Sequence, residues 1–190
     1  TYSIIREVAP HAFVFSNIGA VEVARLHRTD SLDSLRRITD LVEANALAIH
    51  LNPVQEILQP EGERDFTGVL DGIRACREQL GLPIIVKEVG SGLSADVTRR
   101  LLEAGVSLID VAGAGGTSWA GVEILRHAPE HRKRLDPFWD WGIPTAHCLE
   151  DLRELPHVAI RIEDPHRHQE AVVDVFVGDD PDECDPSAAR

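Results

Sequence analysis

The sequence predicts an α/β protein made of parallel βα units, and three observations carry that prediction. Short apolar runs alternate with stretches whose apolar residues recur at helical spacing. The runs end in glycine or polar residues, at the strand ends where α/β folds place ligand chemistry. The run at 83–89, P-I-I-V-K-E-V, is nearly continuous in Ile and Val, which suits a strand covered on both faces. Periodicity alone is satisfied by a TIM barrel or by a doubly wound sheet.

In chain order, residues 1–9 read as the end of an amphipathic helix stopped by Pro10. Residues 12–16 (A-F-V-F-S) are a buried strand running into Asn17-Ile18-Gly19-Ala20. There Asn17 either faces a ligand or tolerates a turn. Leu32, Leu35, Ile38, Leu41 and Val42 mark a helix over 31–43, capped by Asp30 or Ser31. A strand follows at 46–51, then a helix at 66–80 closed by Gly81.

Lys87 is the informative residue of the 83–89 strand, since a lysine in a buried strand is costly unless paired. It either holds a phosphate or a flavin ring or pairs with a neighbouring carboxylate. Glu88 points to the opposite face. Ser94 caps a helix at 97–104, closed by Gly105. The strand at 106–111 ends in A-G-A-G-G-T-S-W, residues 112–119. Its glycines let a backbone approach a ligand and expose N–H groups to anionic oxygen. Thr117 and Ser118 add hydroxyl donors ahead of a helix N-terminus. Trp139 and Trp141 read as core packing. Thr145 opens a helix to about residue 155, and 156–162 begin a last strand.

Composition bounds the function. The 190 residues suffice for one domain with a core, and 43% apolar with 27% charged residues is ordinary for a soluble globular protein. A net charge of -13 argues against nucleic acid or a membrane surface as partner. The N-terminus lacks a signal-peptide pattern, and no apolar run reaches a membrane span. Cys76, Cys148 and Cys184 are sparse and odd in number, which suggests reduced thiols and a cytoplasmic location. A chain that opens at Thr1 and contains no methionine reads as cut from something longer.

The chemistry concentrates in residues 48–64, A-I-H-L-N-P-V-Q-E-I-L-Q-P-E-G-E-R. Strand alternation puts His50 and Asn52 on one face, and Pro53 ends the pairing. Gln55 and Glu56 then fall in the loop beyond the strand. His50 and Asn52 can donate to phosphate oxygens, and Glu56 is a hard ligand for Mg²⁺ beside a phosphorylated substrate. Gln55 can orient a proton-transfer partner. The alternative is that His50 and Asn52 cap the strand while Gln55 and Glu56 are solvated.

H-L-N-P-V-Q-E followed by P-E-G-E-R-D-F resembles the hallmark of type 2, FMN-dependent, isopentenyl diphosphate isomerase. N-I-G-A at 17–20, K-E-V-G-S-G-L-S at 87–94, D-V-A-G-A-G-G-T-S-W at 110–119 and W-G-I-P-T-A at 141–146 resemble further motifs of that family. The resemblance runs to about residue 158 and selects an incomplete TIM (β/α)8 barrel, carrying strands three to six and the start of seven. It implies interconversion of isopentenyl and dimethylallyl diphosphate with reduced FMN and Mg²⁺, NADPH reducing the flavin. It further implies that Asn17, Lys87, Gly115, Gly116 and Thr117 hold the flavin. His50, Asn52 and Gln55 face the substrate, with His50 and Gln55 catalytic, and Glu56 binds the metal. A homo-oligomer is expected for the intact enzyme.

Two domains follow: residues 1–160 as the partial barrel, and 161–190 as an acidic tail unlike the family. From Arg161 on, nine acidic residues face three arginines, a composition expected to be disordered. Glu163, Asp164, His166 and His168 form a short run that reads as chance more than as a metal site. Two other functions compete. One is another FMN-binding barrel oxidoreductase, such as a hydroxyacid oxidase, which lacks a place for H-L-N-P-V-Q-E. The other is a truncated, inactive remnant that self-associates through open strand edges.

Overall fold

A computed structural model describes residues 4–153, Leu155, and the strand backbones at 158–162 and 173–177. The elements in order are α1 (Ile4–Val8), β1 (Phe15–Gly19), α2 (Ala20–Arg28), α3 (Asp33–Leu41), β2 (Ala46–His50), α4 (Pro53–Leu58), α5 (Val69–Leu80) and β3 (Ile84–Lys87). They continue with α6 (Ala95–Glu103), β4 (Leu108–Asp110), α7 (Trp119–Arg126), α8 (Pro129–Leu135), a 3-10 turn (Asp136–Phe138), α9 (Thr145–Leu152), β5 (Val158–Ile162) and β6 (Val173–Val177).

The six strands form one sheet in the order β1-β2-β3-β4-β6-β5. β1 to β4 are parallel, joined through helices as the alternating pattern predicts. The expected incomplete TIM barrel, with strands three to seven all parallel, is not what forms. A barrel needs a further parallel strand beside β4 and closure back to β1. Beside β4 instead runs β6, antiparallel, with Leu108 opposite Phe176 and Ile109 opposite Val175. β5 pairs antiparallel on the far side of β6. Among the described residues β1 pairs only with β2, so the sheet is open. Parts of the 161–190 region thus lie in β5 and β6. The remainder of the acidic tail, including Glu163, Asp164, His166, His168 and Cys184, lies outside the described residues.

The core explains why the helices sit where they do. Ile18, Ile49, Val86 and Ile109 stand in register across the four parallel strands and are all buried. Leu47 and Ile84 extend that apolar face, and Val23, Leu35, Ile73 and Leu101 bring helices onto it. Burial of this cluster is the main drive to fold. On the opposite face Phe15 is exposed and Ile85 and Leu108 are half-buried. α2 has no counterpart among the sequence-predicted elements. It packs on α5 where Gly72 leaves room, a Cβ there lying 3.0 Å from Val23 Cγ1.

Local signals fared unevenly. Ser94 Oγ does cap α6, accepting from Val97 N at 3.3 Å. Gly81 closes α5 in the left-handed region at φ 69. Helix α3 begins later than expected and has no side-chain cap from Asp30 or Ser31. Trp139 and Trp141 are 38% and 58% exposed, so they are not core residues. Cys76 and Cys148 are free thiols, and burial pushes Cys76 up to about 11. No described helix is long and apolar enough to cross a membrane.

Candidate functional site

Residues in register on parallel strands share a face. At the carboxyl end of the sheet that register aligns Gly19, His50, Lys87 and Asp110 in one row, on the face opposite the helices. The row borders a cleft of about 590 Å³ lined by Asn17, His50, Gln55, Lys87, Glu88, Gly115, Gly116, Thr117 and Trp119, among others. Seven sequence-predicted residues therefore meet in one place: Asn17, His50, Gln55, Lys87, Gly115, Gly116 and Thr117.

Asn17 lies within β1, not in the loop beyond it. Its Oδ1 is 3.3 Å from His50 Nδ1. With that oxygen as acceptor, Nδ1 carries the proton and Nε2 keeps its lone pair. Gly19 makes room for the ring, since a Cβ there would sit 3.3 Å from His50 Nε2. Burial, and then the charge of Lys87, push His50 below its ordinary pKa, outweighing Glu56 and Glu22. At neutral pH the imidazole is therefore neutral. Lys87 makes no ion pair among the described residues. Its register neighbour Asp110 accepts from Ala112 N at 3.0 Å, and burial raises the Asp110 carboxyl against that bond and against Lys87.

The 112–119 loop meets the cleft through glycines of an open kind. A Cβ on Gly116 would meet nothing within 4 Å, and on Gly115 only Gly113 O at 3.9 Å. Protein packing does not demand glycine at either position. Ser118 Oγ caps α7 by accepting from Gly121 N at 2.9 Å. Gly121 admits Trp139, whose Cε2 lies 2.8 Å from where a Cβ would stand.

Gln55 and Glu56 stand on α4, not in a loop, because Pro53 starts a helix at its first position. Gln55 Nε2 donates to Glu123 Oε1 at 3.0 Å, and Gln59 Nε2 does the same at 3.0 Å. A carboxylate only accepts, so Gln55 turns its NH₂ to Glu123. Burial pushes the Glu123 carboxyl up, but the bonds from Gln59, Gln55 and Arg126 outweigh it and hold it below the usual range. Sequence reasoning missed Glu123. Its signal was a carboxylate between the buried Ala120 and Ile124 on the inner side of α7.

Asn52 and Glu56 do not line this cleft. Asn52 is buried, and its Nδ2 donates to Glu56 Oε1 at 2.8 Å. Glu63 N donates to Glu56 Oε2 at 2.8 Å, so Glu56 ties α4 to the segment after it. Among the described residues no group of three or more His, Cys, Asp or Glu is placed to hold a metal ion.

No family model matches the chain. It is 46% identical over 166 residues to an isopentenyl-diphosphate delta-isomerase of Methanosarcina barkeri, covering 84% of the chain and 44% of that relative. The enzyme of that name in Cronobacter sakazakii is 49% identical over 151 residues, 79% of the chain and 43% of the relative. For Nostoc sp. the values are 46% over 158 residues, 82% and 44%. The chain thus spans less than half the length of the curated relatives it matches. Their names state no type. The type 2 assignment read from the motifs is corrected accordingly: similarity extends to isopentenyl-diphosphate delta-isomerases, not to one type of them.

Proposed function

We propose that the cleft belongs to an isomerase active site interconverting isopentenyl and dimethylallyl diphosphate. One coincidence carries the reading. His50, Gln55, Lys87 and the backbone of Gly115 and Gly116, beside open space, share a cleft in a chain close to half identical to enzymes of that name. The reaction adds a proton at one end of an allylic unit and removes one from the other, with no net redox change. It needs an anion-binding region and groups that hold or move protons beside an alkene.

The residues divide along those lines. Lys87, Thr117 and the amides of Gly115 and Gly116 suit a phosphorylated cofactor, for which the space beside the two glycines is a fitting cradle. FMN is the group we propose there, with Asn17 beside its ring. Bound and reduced, by NADPH in the sequence reading, it would supply an electron-rich ring able to exchange protons with the alkene. Neutral His50 offers the lone pair of Nε2, and Gln55, its amide nitrogen held by Glu123, lines the cleft with an amide oxygen able to accept. Mg²⁺ is commonly held by one or two carboxylates plus substrate phosphates, so a lone Glu56 suffices as its protein ligand. Asn52, bonded to Glu56, orients that carboxylate. The metal would offset diphosphate charge.

The test incubates the 190-residue chain with isopentenyl diphosphate, Mg²⁺ and reduced FMN in heavy water, and follows deuterium entering dimethylallyl diphosphate. Deuterated product that vanishes in Gln55→Ala is expected. Saturable FMN binding without any product would sink turnover by these residues and favour an inactive flavin-binding remnant.

A further inference from the structure

We propose that Glu88 is a positioning residue that holds the backbone of Gly115 and Gly116 in place, working through the turn after β3. This rests on the reading of the cleft given above. Glu88 is 3% exposed, and no role in the chemistry accounts for a carboxylate buried there. Its Oε2 accepts from three successive backbone amides, Val89 N at 2.7 Å, Gly90 N at 2.8 Å and Ser91 N. A carboxylate filling a nest of amides fixes the turn as a rigid unit.

The hold passes onward by hydrogen bonds. Ser91 O accepts from Ile143 N at 2.8 Å. Ile143 O in turn accepts from Ala114 N at 2.9 Å, and Ala114 also bridges to Pro144. Ala114 is the residue before Gly115. Three loops therefore share one ladder that starts at Glu88 and ends at the cleft. Replacing the acceptor leaves three half-buried amides short of a partner and frees the turn, and the ladder carries that freedom to Gly115 and Gly116.

The experiment combines hydrogen exchange with FMN titration on the 190-residue chain and its Glu88→Ala and Glu88→Gln variants. In Glu88→Ala, exchange is expected to rise about tenfold over 89–91, 112–117 and 141–145 while α3 keeps its protection. FMN affinity is expected to fall about tenfold in Glu88→Ala and by less in Glu88→Gln, which keeps one acceptor oxygen. Faster exchange confined to 89–91 would overturn the proposal, as would a uniform rise that includes α3, or unchanged FMN affinity. Should Glu88→Ala not fold, Glu88→Gln decides by the same pattern, and failure of both would make Glu88 a folding residue only. A wild-type chain that binds no FMN would sink the cofactor reading, and the spread of exchange to 112–117 would still decide the role of Glu88.

Discussion

Gly92 and Gly113 differ from Gly115 and Gly116 in what surrounds them, although all four lie in loops at the same end of the sheet. A Cβ on Gly92 would stand 2.6 Å from Ile143 O and 2.7 Å from Cys148 Sγ, at φ +76. One on Gly113 would stand 2.5 Å from Thr145 N. A Cβ on Gly116 meets nothing within 4 Å. The first pair is glycine because the protein fills the space. The second is glycine where the protein leaves it empty. A glycine-rich string in a sequence mixes both kinds, and only the surroundings separate the glycines that packing requires from those beside open space.

The largest effect expected from this contrast is on stability. Gly92→Ala meets backbone and a buried sulfur, in a conformation L side chains avoid, and should cost about 3 kcal/mol. For a chain of this size that lowers Tm by roughly 6–12 °C. Thermal unfolding followed by circular dichroism checks it. A Tm within a degree of wild type would mean the 142–143 segment yields freely, and the contrast would fail on its structural side.

Next comes the charge facing the open pair. Lys87 has no ion-pair partner among the described residues, so its truncation orphans no carboxylate already in contact. Lys87→Ala should weaken FMN binding by about 2 kcal/mol, the scale of a hydrogen bond to a charged group, with Tm almost unchanged. Isothermal titration and melting on the same sample measure both. Loss of stability with intact binding would reverse the assignment and make Lys87 a structural lysine.

Gly116→Ala sharpens the comparison more gently. Its φ is not in the left-handed region and its surroundings are empty, so stability should move by less than about 0.5 kcal/mol. A methyl group between backbone and ligand should still reduce FMN affinity, by about fivefold. Equal affinity would mean that the open space is solvent, not a cradle.

These contrasts also mark what could be read before the structure. The parallel βα repetition was legible because short apolar runs such as 46–49 and 84–86 alternate with stretches whose apolar residues recur at helical spacing. Convergence of Asn17, His50, Lys87 and Thr117 was legible because strand ends in such repeats meet at one rim. The neighbour of β4 was not, since β6 is a short apolar run, V-D-V-F-V, inside a stretch carrying nine acidic residues. Pairing partners distant in sequence leave no local period. Helix α2 was hidden because its apolar residues Ala20, Val21, Val23 and Ala24 follow directly on the strand, with no cap or turn signal between. Glu56 was expected in a loop, whereas it stands on α4 with its two oxygens accepting from Asn52 and Glu63, partners that no local pattern shows.

The smallest effect concerns protons at the row on the sheet. His50 sits below the ordinary imidazole value of 6.5, first through burial and then through Lys87. The unfolded chain therefore binds a proton that the folded chain resists. Stability from this group is present above 6.5 and is lost as pH falls from there to the folded value, below which the loss is complete. Lys87→Ala removes the second cause and leaves the first, so the folded value should rise toward the ordinary one without reaching it. The destabilisation on acidification should shrink in step. Titration of the His50 Cε1 proton by NMR reads the shift directly, and melts between pH 7.5 and 5 against a His50→Gln background isolate its share of the stability. An unmoved midpoint in Lys87→Ala would show that the two side chains do not sense each other across β2 and β3, and the shared row would then be a matter of register alone.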